Sequence, residues 1–358
     1  MIEVELLPAQ YGDAILIRYG KNRKDLHHIL IDTGFEATAR GILEHLHREK
    51  NIQLDLLALT HIDADHIEGS IYLLQDPNVA IPSRIRDVWF NGWVQIDSVA
   101  DDAMGALQGE YFSALIREKN LPWNKAFGGK AAVVPDAGPL PQTTLEAGMK
   151  LTLLSPSVEK LKALRGYWVK DLKGKLHAGD EKAALKLLAE DKQYALDALG
   201  RTTKVETLVA KKFEEDTAKA NGSSIAFLAE YGGARMLFTG DAHPGVVAEA
   251  LDRVGNAGSV LDVDLLKVAH HGSRHNTSPK LLERIRCKHV LISTNGVKFD
   301  HPDAESIARV VDAYAGNDCI VHFNYATEFT TPWKDAALKR KYGYDVEYGD
   351  DGSLTVAL

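Results

Sequence analysis

The sequence has little cysteine, no long apolar run and no excess of positive charge. Only two of its 358 residues are cysteines, Cys287 and Cys319, and they lack the spacing of metal ligands or of a disulfide framework. We expect both to be buried packing residues in a reducing compartment. No stretch approaches the ~18 consecutive apolar residues of a membrane span. The start MIEVELLPAQ is unlike a signal peptide, so we expect a cytoplasmic protein without membrane contact.

The formal net charge is −8, which argues against a generally basic surface that coats DNA. Bound divalent cations would add positive charge that this count omits, so a nucleic-acid substrate is not excluded. The 45% hydrophobic and 26% charged residues are typical of a soluble globular protein with an ample core.

Short strands dominate both ends of the chain. Helical spacing of apolar residues predicts helices at 37–51, 67–76, 278–287 and 303–316. Runs rich in Leu, Ile and Val that end in turn residues predict strands within 2–7, 13–20, 27–34, 54–61, 85–92, 263–273, 288–296, 318–326 and 344–358, and a hairpin over 223–241 that turns at Gly232-Gly233. This order predicts two sheets packed together with helices outside.

Residues 155–220 differ from the rest, because they are rich in Ala, Lys and Glu and lack convincing strand patterns. We interpret them as a helical insertion within a single domain that spans 1–358. The segment carries 14 Lys and Arg against 11 Asp and Glu. It could be a solvated helix pair covering one edge of the fold, or a lid that faces substrate.

The stretch THIDADHIEG (60–69) places His61, Asp63, Asp65 and His66 directly after the apolar run LDLLAL. An acidic N-cap on the following helix would explain one aspartate, but not four donors within six residues. Imidazole nitrogen and carboxylate oxygen suit Zn, Mn or Fe. The motif therefore predicts a metal site, and its spacing allows two adjacent sub-sites.

Three later motifs also place polar donors at the ends of apolar strands. Asp241 follows LFTG, His270 and His271 lie in LLKVAHHGS, and Asn295 and His301 lie in STNGVKFDHP. Each motif alone is commonly a turn. Because all of them follow strands, one sheet edge could gather them around the first motif.

Taken together, these motifs resemble the metallo-β-lactamase superfamily. Its usual signature is H-x-H-x-D-H followed by a distal Asp and a distal His, and here Asp63 replaces the second His. QYGDAILI, HILIDTG, NGSSIAFL, LFTGD and LLKVAHHGS are similar to the hydrolase domain of the ComEC/Rec2 competence proteins and its free-standing relatives, over roughly residues 1–90 and 220–325. The resemblance implies an α/β fold, the αββα sandwich of two mixed sheets with outer helices.

The resemblance also implies two divalent metal ions, Zn or Mn. It assigns His61 and Asp63 to the first ion, with Asp241 bridging. It assigns the second ion to Asp65, His66 and one histidine of the 270–271 pair. We favour His270 as that ligand and expect His271 to support the ligands or to contact a substrate phosphate. The superfamily often supplies one more histidine to the first ion, and the only histidine between Ile67 and Ala242 is His177, in the insertion.

In the implied mechanism, Asp65 and Asp241 orient a metal-activated hydroxide and accept its proton, with His271 as a third catalytic residue. Substrate phosphate contacts are expected from Lys267, Ser273, Asn295 and His301. Asp13 and Asp32 are expected to shape turns beneath the site, with a supporting role left open.

The donor motifs predict a metal-dependent hydrolase but do not distinguish phosphorus from a carbonyl carbon. The resemblance to the competence domain implies a phosphodiesterase or nuclease with a nucleic-acid or other phosphodiester substrate. Two alternatives stay open. One is a hydrolase of small esters, lactones or phosphocholine-type headgroups on the same metals. The other is a metal-stabilised partner protein in a multi-protein system.

Overall fold

The computed structural model describes residues 1–48, 52–75, 85–99, 107–172, 177–188, 204–255 and 259–358. Within these ranges the strands are β1 Ile2–Leu6, β2 Ile15–Gly20, β3 Leu26–Ile31, β4 Leu54–Ala58, β5 Val88–Trp89, β6 Gln142–Thr144, β7 Lys150–Ser155, β8 Ala226–Tyr231, β9 Ala234–Phe238, β10 Leu261–Lys267, β11 Ile285–Ile292, β12 Cys319–Phe323, β13 Tyr344–Tyr348 and β14 Leu354–Ala357. The helices are α1 Glu36–Arg48, α2 Ala64–Gln75, α3 Trp93–Asp97, α4 Leu107–Glu118, α5 Val158–Asp171, α6 Glu181–Leu188, α7 Val205–Val209, α8 Lys219–Gly222, α9 Pro244–Val254, α10 Pro279–Leu282, α11 Ala304–Ala313 and α12 Ala336–Tyr342.

The strands form two mixed sheets. The first has the order β14-β1-β2-β3-β4-β5, and the second has the order β13-β12-β11-β10-β9-β8-β7-β6. In the first sheet, β3, β4 and β5 run parallel and the other neighbours run antiparallel. In the second, β9 to β13 run parallel, whereas β6 to β9 pair antiparallel.

Side-chain alternation along the strands of the first sheet separates two apolar cores. In β3, Ile29 and Ile31 belong to the core shared with the second sheet, whereas Leu30 belongs to the core beneath the helices. The aromatic pair Trp89 and Phe227, with ring centroids 5.8 Å apart, joins the two sheets directly. The result is the αββα sandwich that the sequence predicts.

This topology places several strand ends at one edge. β3 and β4 of the first sheet, and β9, β10 and β11 of the second, all lead at their C-terminal ends into loops that meet there. Polar side chains on those loops are therefore held by two rigid sheets.

Most predicted elements are confirmed, and two differ. The strand predicted over 85–92 is reduced to Val88–Trp89. The helix predicted over 278–287 begins as expected, with Ser278 accepting a hydrogen bond from the N–H of Leu281, but it ends at Leu282. The chain from Ile285 onward instead joins the second sheet as β11, between β10 and β12.

The described part of 155–220 contains the end of β7, the helices α5, α6 and α7 and the start of α8, and residues 210–218 lie outside helices and strands. Residues 173–176 and 189–203 of the predicted insertion lie outside the described residues. Its assignment as one insertion in a single 1–358 domain stays a prediction. Cys287 and Cys319 are free and buried, as expected. Within the described ranges, no helix combines the length and apolar character needed to cross a membrane.

Candidate metal centre

The donors of the THIDADHIEG motif lie where β4 passes into α2. β4 ends at Ala58, and α2 begins at Ala64, so Asp65 and His66 occupy the first turn of the helix. Two glycines allow neighbouring loops to approach. A Cβ on Gly12 would lie 2.2 Å from the backbone oxygen of Asp65, and one on Gly240 would lie 2.9 Å from the side chain of Thr60. Close backbone contact therefore joins the loops that carry the donors.

Asp241 lies at the centre of the first donor group. Its Oδ2 is 3.7 Å from Nε2 of His61, 3.4 Å from Nε2 of His66 and 3.8 Å from Nε2 of His270. The partly exposed Asp63 completes this side, with Oδ2 3.5 Å from Nε2 of His61. One carboxylate oxygen thus faces three imidazole nitrogens, the position of a bridging ligand.

A second donor group shares His66 with the first. Asp65, His66 and His271 each offer a ligand atom, and these atoms lie within 4.8 Å of one another. Oδ2 of Asp65 is 3.3 Å from Nε2 of His271. Two neighbouring groups of nitrogen and oxygen donors suit two divalent cations.

Unsatisfied atoms show that the pocket fits metal ions. The Nε2 atoms of His61, His66 and His271 and Oδ1 of Asp241 are buried without a hydrogen-bond partner among the described residues. Buried polar atoms are normally paired, because leaving one unpaired costs about 1–3 kcal/mol. Their shared direction into one pocket indicates that cations provide the missing interactions.

Asp32 and its neighbour Thr60 orient two of these histidines. Oδ2 of Asp32 accepts a hydrogen bond from the Thr60 hydroxyl at 2.7 Å and lies 2.7 Å from Nδ1 of His66. The Thr60 Oγ1 lies 3.0 Å from Nδ1 of His61. With Nδ1 of each ring bound in this way, Nε2 is left to face the pocket, an arrangement typical of metal-binding histidines.

The other two histidines are held in the same way. Nδ1 of His271 lies 3.0 Å from the backbone oxygen of Ser293, and Nδ1 of His270 lies 3.0 Å from Oδ1 of Asn276. Asn276 also donates to the backbone oxygen of Asp241 at 3.0 Å. Asp32 and Asn276 were not among the predicted ligands, and only the position of Asp32 at a strand end hinted at its role.

Electrostatics in the metal-free chain agree with this geometry. Burial alone would lower the pKa of His66, but the carboxylates of Asp241 and Asp32 outweigh it and raise that pKa well above its ordinary value. Burial would likewise lower the pKa of His271, and Asp13 and Asp65 raise it to about 10. Burial raises the pKa of Asp241, but the positive charges of His66 and His270 hold it well below its usual range. The carboxylates thus attract positive charge to the positions where cations would bind.

The structure reverses the expected roles of the histidine pair. His271, which was expected to support the ligands or contact phosphate, completes the group of Asp65 and His66. His270, which was expected to serve the second ion, instead points Nε2 at Asp241, beside the first group. His270 rather than His177 is therefore the candidate for the additional histidine of the first group, since His177 is exposed on the surface.

The four expected phosphate contacts divide into two pairs. Lys267 is 1% exposed, and its Nζ binds Oδ2 of Asp13 at 2.7 Å, so its ammonium belongs to an internal ion pair rather than to the open cleft. Ser273 is also buried, and its hydroxyl accepts a hydrogen bond from the N–H of His275. Asn295 and His301 are partly exposed, and the His301 ring lies 5.2 Å from that of His270.

Comparison with known proteins agrees with the fold and the donor motif. A family model described as the metallo-beta-lactamase superfamily matches residues 8–140, the part of the chain that carries His61 to His66. This part of the chain is therefore similar to the metallo-β-lactamase superfamily. This similarity, together with the two donor groups, supports a metal-dependent hydrolase.

One curated protein with a similar sequence is ComE operon protein 3 of Bacillus subtilis (strain 168). It is 32% identical over 88 residues, which cover 24% of this chain and 11% of that protein. The chain therefore matches about a ninth of the relative's length. This match agrees with the resemblance to the ComEC/Rec2 hydrolase domain.

Solved structures with similarity to the chain include two metal-binding proteins. One is CmlA, a diiron β-hydroxylase from Streptomyces venezuelae, at 10% identity and a TM-score of 0.39, covering 100% of this chain and 54% of that one. The other is Zn²⁺-bound PqqB from Methylobacterium extorquens, at 11% identity and a TM-score of 0.41, covering 100% of both chains.

Proposed function

We propose that this protein is a metal-dependent phosphodiesterase that acts as a nuclease with two divalent ions, Zn or Mn. One observation carries the proposal: the buried Asp241 carboxylate lies between two donor groups whose imidazole Nε2 atoms point into one pocket. His61, Asp63 and His270 would hold one ion. Asp65, His66 and His271 would hold the other, and Asp241 would contact both.

Bound at these residues, two divalent ions would supply Lewis acidity, which lowers the pKa of a water molecule and neutralises charge on phosphate oxygens. The chain's own residues set the geometry. Asp32 fixes the His66 ring and, through Thr60, the His61 ring. Asp65 and Asp241 are the carboxylates that we propose orient the attacking water and accept its proton.

The choice of phosphorus over a carbonyl carbon has two supports. The first is the similarity to ComE operon protein 3, together with the resemblance to the ComEC/Rec2 hydrolase domain. The second is Asp63, which offers a carboxylate oxygen at the position where the superfamily signature usually has a histidine. Carboxylate ligands suit harder ions such as Mn²⁺, which are common partners of phosphate oxygens.

Cleavage of end-labelled single-stranded DNA by the purified chain, with Mn²⁺ or Zn²⁺ added, tests the proposal. Wild-type protein should cut the strand, Asp241→Ala should not, and the exposed control His177→Ala should cut as the wild type does. Absence of cleavage by a wild-type protein that holds two metal equivalents would contradict it. Hydrolysis of bis(p-nitrophenyl) phosphate without polynucleotide cleavage would instead favour a small-molecule phosphodiesterase.

A further inference from the structure

Two aromatic rings and a lysine form a corner at the entrance of the metal centre. The Tyr11 ring packs on Phe35 at a centroid distance of 4.1 Å and meets the edge of Phe299 at 6.2 Å. Phe299 is 48% exposed, although burying such a ring stabilises a fold. Nζ of Lys298 lies 5.2 Å from the centroid of Tyr11 and 5.0 Å from that of Phe299. We call Tyr11, Lys298 and Phe299 the aromatic corner.

The aromatic corner is connected to the metal centre on both sides. On one side, Asp13, two residues after Tyr11, donates its backbone N–H to the backbone oxygen of Asp65 at 3.1 Å. On the other side, the Phe299 ring lies 6.1 Å from the His301 ring, which is in turn 5.2 Å from His270. The corner thus lies close to the loops that carry the donor groups.

Electrostatic coupling supports this proximity. Burial raises the pKa of Tyr11, and the negative charges of Asp65 and then Glu68 raise it further. The Tyr11 hydroxyl thus lies within the electrostatic field of a residue that we assign to the second ion.

The positive charge of Lys298 favours a nucleotide over a quaternary ammonium group as the ligand of the aromatic corner. An aromatic cage that recognises a quaternary ammonium group presents its ring faces to that cation. Here the ammonium of Lys298 already lies over both rings, so a phosphocholine-type headgroup would meet a like charge. A nucleobase needs only a ring face, and the phosphate next to it would attract the Lys298 ammonium.

We propose that the aromatic corner binds one nucleotide of a single-stranded polynucleotide, with its base stacked on the exposed ring of Phe299 beside Tyr11 and its phosphate paired with Lys298. This nucleotide lies beside the phosphodiester at the metal centre. The inference rests on the proposed function and narrows its substrate class to single strands, because a base inside a duplex has its faces covered by neighbouring base pairs. The flexible Lys298 side chain moves from the rings to the phosphate when the base stacks.

Binding of a fluorescein-labelled oligothymidylate of about eight nucleotides tests the corner directly. Fluorescence anisotropy is measured in EDTA, which prevents turnover, with a second oligonucleotide of the same length that carries only abasic sugars. Phe299→Ala should weaken binding of the oligothymidylate about tenfold, within the range of base–aromatic stacking. It should leave binding of the abasic strand unchanged. Lys298→Ala should weaken binding of both strands, since both carry phosphate.

The matched controls are exposed residues remote from the corner. Val260→Ala removes a 52% exposed apolar side chain just before β10, at the end of that strand opposite to the metal centre. Lys288→Ala removes an exposed lysine from β11. Both variants should bind as the wild type does. Equal binding of normal and abasic strands by the wild type, or an equal loss in Phe299→Ala and Val260→Ala, would overturn the proposal.

Cleavage assays with added metal separate this inference from the proposed function. If the wild type cuts the strand and Phe299→Ala does so with an unchanged KM, the corner proposal fails and the nuclease proposal stands. If binding depends on bases and on Phe299 but no strand is cut, the nuclease proposal fails and the corner remains as a binding site for single strands.

Discussion

Nδ1 of His66 lies 2.7 Å from Oδ2 of Asp32, at the point where β3 of the first sheet ends. The same carboxylate accepts hydrogen bonds from the backbone N–H and the hydroxyl of Thr60, at 2.8 and 2.7 Å. Because Thr60 in turn contacts His61, one fully buried aspartate fixes the orientation of two candidate ligands on the adjacent loop. Ligand geometry thus depends on a residue outside both donor groups.

Replacing Asp32 should therefore weaken metal binding although Asp32 is not proposed as a ligand. We expect Asp32→Asn to reduce metal affinity by about 10- to 100-fold. The amide nitrogen of the new side chain cannot accept the hydrogen bonds that now hold Thr60 and His66, so the two imidazole rings would lose their fixed orientation. Competition with a chromophoric chelator measures this change. Asp55→Asn is the matched control, since Asp55 is a buried aspartate that binds Tyr19 and His27 away from the site. Equal metal affinity in the wild type and Asp32→Asn would show that Asp32 has no positioning role.

The ion pair of Asp13 and Lys267 gives a prediction about stability. Lys267→Met should lower the free energy of unfolding by about 3–5 kcal/mol, because it leaves the Asp13 carboxylate buried without its partner. Adding Asp13→Asn should recover part of the loss, since the uncompensated charge is then removed. Urea denaturation of metal-free protein measures both effects.

The outcome also tests the original expectation that Lys267 contacts substrate. A Lys267→Met protein with unchanged stability and a raised KM would restore that expectation and contradict the internal ion pair. A destabilised variant would confirm that the lysine serves the fold.

The sequence motifs predict the sandwich and most metal-site donors because both depend on local patterns. Apolar runs define the strands, and polar residues directly after them mark the edge where the loops meet. The motif from His61 to His66 is concentrated enough to identify the site before any contact is known. Asp241 is found in the same way, after β9.

Features set by distant contacts could not be predicted. Lys267 follows the polar strand-end pattern, but its partner Asp13 is 254 residues away in sequence, so only the fold reveals the ion pair. The residues before Ile285 favour a helix that continues to Cys287. Pairing with β10 instead places Ile285 to Cys287 in a strand. The order of His270 and His271 depends on the loop backbone, in which both residues adopt positive φ, at 47° and 52°.

Stability at acidic pH should report the environment of Glu5. Burial raises the pKa of this carboxyl, but His45 and Arg18 outweigh it and lower the pKa from 4.5 to about 2. A lowered folded-state pKa adds stability that is fully present above about pH 4.5 and is lost as the pH falls towards 2. Glu5→Gln should therefore cost up to about 3 kcal/mol near pH 7, and the difference from wild type should shrink below pH 4.5.

Urea denaturation of wild type and Glu5→Gln at pH 7, 5, 4 and 3 measures this difference. Glu3→Gln is the control on the same strand, because Glu3 pairs with the exposed Arg23 and should contribute less than about 1 kcal/mol. A Glu5→Gln penalty that stays constant or grows as the pH falls would contradict the assigned environment.

The most direct test of the dinuclear centre is metal content, measured by inductively coupled plasma mass spectrometry after reconstitution with Zn²⁺ or Mn²⁺ and removal of excess ion. The wild type and His177→Ala should each hold two equivalents per chain. His271→Ala should hold one, because it loses a ligand of the group with Asp65 and His66 but leaves His61, Asp63, His270 and Asp241 intact. A wild type that binds no metal, or a His271→Ala protein that still holds two equivalents, would contradict the account.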